Sequence, residues 1–86
     1  MYIVKSKRFD KQYSKLSKRV QHQFDERLIL FVRDPKNTLL HIHSLAGEFI
    51  GLQSFNVNSD VRVMYEVQGN TIVLLVAIGT HSQLYS

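Results

Sequence analysis

Gly79-Thr80-His81 follows the apolar run Thr71 to Ile78 near the end of the chain. This sets an imidazole at the mouth of what reads as a buried strand. Histidine is the side chain whose ordinary pKa lies closest to neutrality. Asp60 and Arg62 open the preceding strand-like segment. Counting back evenly from the Gln68-Gly69-Asn70 hairpin signal brings them near Gly79 and His81. His41 and His43 precede the strand before that, and Asn56 lies near its end, next to the Asp60 turn. A carboxylate, a guanidinium and imidazoles on one sheet edge suit metal-free phosphodiester cleavage. An RNA 2′-hydroxyl must lose a proton, the leaving 5′-oxygen must gain one, and charge builds on phosphorus. The arginine fork matches phosphate geometry. Tyr85 and Phe55 are able to stack on a base. Residue types alone leave plainer readings open. His81 suits an ordinary surface position, Asp60 suits turn closure, and Arg62 suits an ion pair with Asp60 or Glu66. His41-x-His43 supplies only two metal ligands, and no Cys or acidic motif completes them.

Those residues need a scaffold. Tyr2-Ile3-Val4 reads as a short strand. Phe9, Tyr13 and Leu16 follow at helical spacing, and Val20, Phe24, Leu28 and Phe31 continue it beyond a Ser17 cap. The spacing predicts helices over 8–15 and 18–33, the second stopped at Asp34-Pro35. Residues 39–45 carry no clear period. Leu52 to Val57 alternates as a half-buried strand does, Asn58-Ser59-Asp60 reads as a turn, and Val61 to Glu66 alternates again. Thr71 to Ile78 is apolar on both faces and so belongs inside the sheet. The order β-α-α-β-β-β predicts one α+β domain over 1–86, with two N-terminal helices on one face of a curved, mainly antiparallel sheet.

Charge is unevenly spread. The net charge is +4, yet residues 1–36 carry ten basic against four acidic residues, a net of +6. Lys11, Lys15, Lys18 and Arg19 are among the ten, and a basic half suits a polyanion or an acidic protein partner, or a solvated helix face. The chain has no cysteine, which excludes disulfides and thiolate chemistry and fits a reducing cytoplasm. No segment reads as a signal peptide. The longest apolar run is far below the roughly 20 residues of a membrane span.

Taken together these motifs resemble the RelE/ParE superfamily of bacterial type II toxins, and within it the YafQ-like mRNA interferases. The resemblance runs through Arg8-Phe9-Asp10-Lys11-Gln12-Tyr13, Phe31-Val32-Arg33-Asp34-Pro35, His43-Ser44-Leu45-Ala46-Gly47 and Gly51. Its most specific stretches are Asp60-Val61-Arg62-Val63-Met64-Tyr65 and Gly79-Thr80-His81-Ser82-Gln83-Leu84-Tyr85. It implies a ribosome-dependent endoribonuclease that needs no cofactor, is monomeric when free and forms a hetero-oligomer with a cognate antitoxin. The family pattern carries over onto His43, Asp60, His81 and the aromatic Tyr85, and Arg62 matches a basic position common among RelE-like toxins. It departs at Asn56, where the family carries a further histidine. His81 is expected as general acid or in exchange with His43, Asp60 as base or as the orienter of a histidine, and Arg62 on the phosphate. Tyr85 and Asn56 would contact substrate, and Lys11, Lys15, Lys18 and Arg19 ribosomal RNA. ParE-like relatives, which bind DNA gyrase without chemistry, give a second expectation, and a decayed toxin retaining only antitoxin binding a third.

Overall fold

The computed structural model describes residues 1–85. Strand β1 (Tyr2–Lys5) leads into helices α1 (Lys7–Ser14) and α2 (Lys18–Arg33). Strands β2 (His43–Ser44), β3 (Gln53–Asn56), β4 (Val61–Gln68) and β5 (Ile72–Thr80) follow, and helix α3 (His81–Tyr85) ends the described chain. The sheet order is β1-β5-β4-β3-β2. Only the β1–β5 pair is parallel; the others are antiparallel. The predicted α+β layout is therefore present, with two elements the periodicity did not reveal, β2 and α3.

Local chemistry explains the helix ends. Ser6 accepts from the Phe9 N–H (3.0 Å) and Ser17 from the Val20 N–H (3.2 Å), each satisfying one of the donors left open by a helix start. The last turn of α2 closes when the Asp34 N–H donates to Leu30 (2.7 Å), and Pro35 prevents continuation.

α1 and α2 bury one sheet face. Phe9, Phe24, Phe31, Phe55, Val63, Tyr65, Val73, Leu75 and Ile78 meet there. Phe31 lies 5.0 Å from Phe55 and 5.0 Å from Tyr65 between ring centroids, so three aromatics pin α2 to β3 and β4. Burial pushes the Tyr65 phenol up to about 12. Because the unfolded phenol ionises near 10, folded protein holds the proton longer. Tyr65 thus contributes stability that is complete below pH ~10 and lost as pH rises toward 12. Unfolding midpoints in urea should fall across that window, and a flat profile would remove Tyr65 from the balance.

The opposite face carries a smaller cluster, Met64, Ala77 and Leu84, flanked by Leu45, Phe49, Leu52, Val76 and Tyr85. A bulge separates the two faces of β5. Met64 pairs with Ala77 but Tyr65 with Leu75, leaving Val76 unmatched. That extra residue breaks the two-residue alternation. Leu75 and Ile78 both face the helices, while Ala77 faces away. α1 supports the irregularity: the Ser6 hydroxyl donates to the Val76 carbonyl (2.8 Å) and the Ile78 N–H donates to Gln12 Oε1 (2.9 Å). Among the described residues no helix is long and apolar enough to cross a membrane.

Candidate functional site

The bulge sets the site. An even count from the hairpin would put Ile78 opposite Arg62. The extra residue instead pairs Arg62 with Gly79 and Val61 with Thr80. Asn56 pairs with Arg62 on the other side, so Asn56, Arg62 and Gly79 form one row across three strands. The next row on the same face runs His43, Ser54, Met64, Ala77. Two residues of strand separate the rows, roughly 6.6 Å. Both lie on the face turned away from α1 and α2, because Val61, Val63 and Tyr65 point into the helix-side core.

α3 begins at the strand end and folds back over it. Thr80 and Gln83 cap each other: the Gln83 N–H donates to Thr80 Oγ1 (3.2 Å), and the Thr80 N–H donates to Gln83 Oε1 (2.9 Å). This is a reciprocal capping box, and it makes His81 the first helical residue. Gly79 makes the fold-back possible, since a Cβ there would lie 2.9 Å from Gln83 Oε1. One helical turn later Tyr85 brings its ring centroid to 4.5 Å from that of His81, and Phe49 packs edge-on against Tyr85 at 5.1 Å. Tyr85 is therefore half-buried between Phe49 and His81.

His43 is held at both ring nitrogens. Nδ1 lies 3.0 Å from the His41 carbonyl, and Nε2 lies 3.3 Å from the Ser54 hydroxyl. A carbonyl only accepts, so in the neutral ring Nδ1 carries the proton and Nε2 accepts from Ser54. Ser54 is the buried polar residue of the core, at 0 % exposure. The 3.3 Å contact is long for an O–H donor and is readily exchanged for another.

Asp60 lies in the turn that opens β4, and Asn58 builds that turn. Asn58 Oδ1 accepts from the N–H groups of Asp60 and Val61 (2.8 Å each), while its Nδ2 donates to Gln23 on α2 (2.9 Å). One side chain ties the Asp60 turn to the helix layer. Replacing Asn58 by alanine removes three hydrogen bonds and should cost about 2 kcal/mol of stability. A urea midpoint unchanged from wild type would contradict this.

Arg62 is half-buried and makes no ion pair with Asp60 or Glu66; among the described residues the ion pair present is His22–Glu26, on α2. Asp60 borders a cleft with Ser17, Arg19, Val20, Asn58, Ser59 and Gln23. Lys15 borders another with Gln12, Leu16, Ile78 and Gln83. Arg19 and Lys15 thus flank the strand-end edge from the helix side, while Lys11 and Lys18 are exposed on their helices. Among the described residues His43, Asp60, Arg62 and His81 make no hydrogen bond to one another. Asp60 borders the cleft against α2, whereas His43 and Arg62 lie in adjacent rows on the sheet face turned away from the helices, and His81 begins α3 at the strand end.

Sequence reasoning gave no role to Ser54, Phe49 and Gln83, and read Asn58 only as part of a turn. Thr80-x-x-Gln83 carried a readable capping signal. Ser54 and Asn58 acquire meaning only through partners distant in sequence.

The comparisons bear on this arrangement. Among curated proteins none matches the chain by sequence. The crystal structure of YafQ from Escherichia coli strain BL21(DE3) superposes with a TM-score of 0.84 at 19% identity, covering 98% of this chain and 97% of that one. The same toxin in the E. coli DinJ–YafQ complex gives 0.81 at 19% identity, with 98% and 97% covered. A YoeB/ParE toxin from Agrobacterium tumefaciens gives 0.78 at 19% identity, with 94% and 99% covered. At these identities the structures establish the fold. The family model for the bacterial toxin of type II toxin–antitoxin systems, YafQ, matches residues 1–86. The chain belongs to the YafQ family of type II toxins.

Proposed function

We propose that this toxin is an endoribonuclease that cuts mRNA on the ribosome, and that a cognate antitoxin silences it. One observation carries the reading. Arg62, a cation without an ion-pair partner among the described residues, sits opposite Gly79 at the strand end where His81 begins α3. A guanidinium without an ion-pair partner is suited to hold a phosphate, and an exposed imidazole two residues beyond Gly79 is suited to move a proton.

In this mechanism Arg62 holds the scissile phosphate and offsets the charge that grows on it. A base removes the 2′-hydroxyl proton, and the oxygen attacks phosphorus. His43 Nε2, released from Ser54, or the Asp60 carboxylate serves as that base. The 5′-oxygen leaves as its bond to phosphorus breaks, and His81 gives it a proton. The products are a 2′,3′-cyclic phosphate and a free 5′-hydroxyl. Tyr85 helps set a base beside His81, Asn56 contacts the strand next to Arg62, and Lys11, Lys15, Lys18 and Arg19 face ribosomal RNA from the helix side. The family and the DinJ–YafQ complex support an antitoxin partner for this chain, and the basic α1–α2 half suits an acidic one.

Mapping 5′ ends of mRNA on translating ribosomes tests the reading. New ends that appear only with the toxin, each carrying a 5′-hydroxyl, are the expected result. Intact mRNA together with loss of gyrase supercoiling would overturn it in favour of inhibition by binding alone. Intact mRNA with no growth arrest would leave only antitoxin binding.

A further inference from the structure

A second cleft opens where β3 loses its outer neighbour. β2 pairs only with Ser54 and Gln53, so the far end of β3 is uncovered on that side. The space beside it is lined by Arg27, Leu39, His41, Asn56, Asn58 and Ser59. The side chains of Arg27, Leu39 and His41 have no part in the reaction described above.

The lining has a definite chemical character. Arg27 Nη1 donates to the Leu39 carbonyl (2.9 Å), which holds the guanidinium at the rim. Leu39 is exposed at 57%. His41 is exposed and adopts φ 48° and ψ 46°, a left-handed conformation that L residues other than glycine seldom take. The Asn56 Oδ1 atom is buried and finds no hydrogen-bond donor among the described residues. A ligand donor in the cleft would supply one once the amide turns toward it. Among the described residues no carboxylate lines the space. A cation, an imidazole, an exposed apolar side chain and amide groups match the parts of a nucleotide: a phosphate, a flat base, and the polar edge of that base.

Position ties the cleft to the site. Asn56 belongs to both, since it pairs with Arg62 across β3 and β4. Neighbouring strands lie about 4.8 Å apart, so the cleft is within one nucleotide step of Arg62. The His41 carbonyl also orients His43, so the same turn serves both places. We infer that this cleft binds the RNA nucleotide next to the bond that is cut, with His41 against its base and Arg27 on its phosphate. The inference rests on the nuclease reading for the identity of the strand, though binding itself is measurable without cleavage.

Two variants separate function from folding. His41→Gly removes the imidazole and suits a positive φ, so it should fold at least as well as wild type. Arg27→Gln removes the cation and keeps an N–H for the Leu39 carbonyl. The probe is a 2′-O-methyl RNA tetranucleotide, which cannot be cut. Titrated into wild type, it should shift the NMR signals of His41, Ser59 and the Asn56 side chain in a saturable way. Affinity should fall about 5- to 10-fold in His41→Gly, as for loss of a stacking partner, and by a similar factor in Arg27→Gln. On ribosomes His41→Gly should raise KM by the same factor while kcat stays within about 2-fold, and should relax base preference beside the cut. The inference is overturned if the tetranucleotide leaves these signals unmoved, or if both variants bind and cut as wild type does. Cleft signals that shift while wild type cuts no mRNA would sustain the subsite and remove the nuclease reading. Cleavage that is indifferent to both variants would do the reverse.

Discussion

His81→Ala should abolish mRNA cleavage and growth arrest while leaving the fold intact. Loss of a general acid typically costs 10²- to 10⁴-fold in rate, so residual cutting on ribosomes should be barely detectable. The fold should survive for a local reason. His81 is exposed, and α3 is capped by Thr80 and Gln83 rather than by the imidazole. The substitution removes the contact with Tyr85 at 4.5 Å but leaves Tyr85 against Phe49. The far-ultraviolet spectrum and Tm should therefore match wild type. Full toxicity in a folded His81→Ala protein would take His81 out of the chemistry.

Phe55→Ala should produce the largest loss of stability in the chain. Phe55 is fully buried, stacked on Phe31 at 5.0 Å and tilted against Tyr65 at 5.8 Å. Truncating a core phenylalanine costs about 3–5 kcal/mol through lost transfer energy and the cavity left behind. A domain of this length has in total roughly 4–13 kcal/mol, so the variant approaches the folding limit. Each kcal/mol is worth about 4–8 °C in a small domain, which places the expected fall in Tm above about 12 °C. The site should fail with it, because Phe55 lies between Ser54 and Asn56 on β3 and fixes which face each presents. Scanning calorimetry checks this. A fall of only a few degrees would mean that the core closes over the gap and that β3 is held by its ladder alone.

The contrast between those two residues shows what was readable in advance. The 18–33 helix was legible to the residue, since an apolar stripe, a Ser17 cap and an Asp34-Pro35 stop all agree. α3 was missed because five residues are too few to display a period, although its capping box was written in the sequence. β2 was missed because two residues cannot display alternation, and because it starts just after the left-handed turn at His41. An even hairpin count was enough to expect Asp60 and Arg62 near Gly79 and His81, because antiparallel pairing forces the start of one strand beside the end of the next, but the pairing of Arg62 with Gly79 itself came from the bulge.

By itself the sequence determined the α+β layering, the chain order of the elements, the basic helical half, and a resemblance strong enough to name the toxin family. These depend on local periodicity and on motifs contiguous in the chain. Only the tertiary structure decided which face each site residue occupies. β5 is apolar throughout, so its alternation carries no phase, and the bulge at Val76 that turns Gly79 toward Arg62 leaves no mark in residue types. The hold of Ser54 and His41 on the His43 ring, the span from Asn58 to Gln23, and the cleft shared by His41 and Asn56 likewise join residues distant along the chain. Such contacts are set by packing of whole elements against one another, and hydrophobic pattern specifies that packing only after the chain has closed around its core.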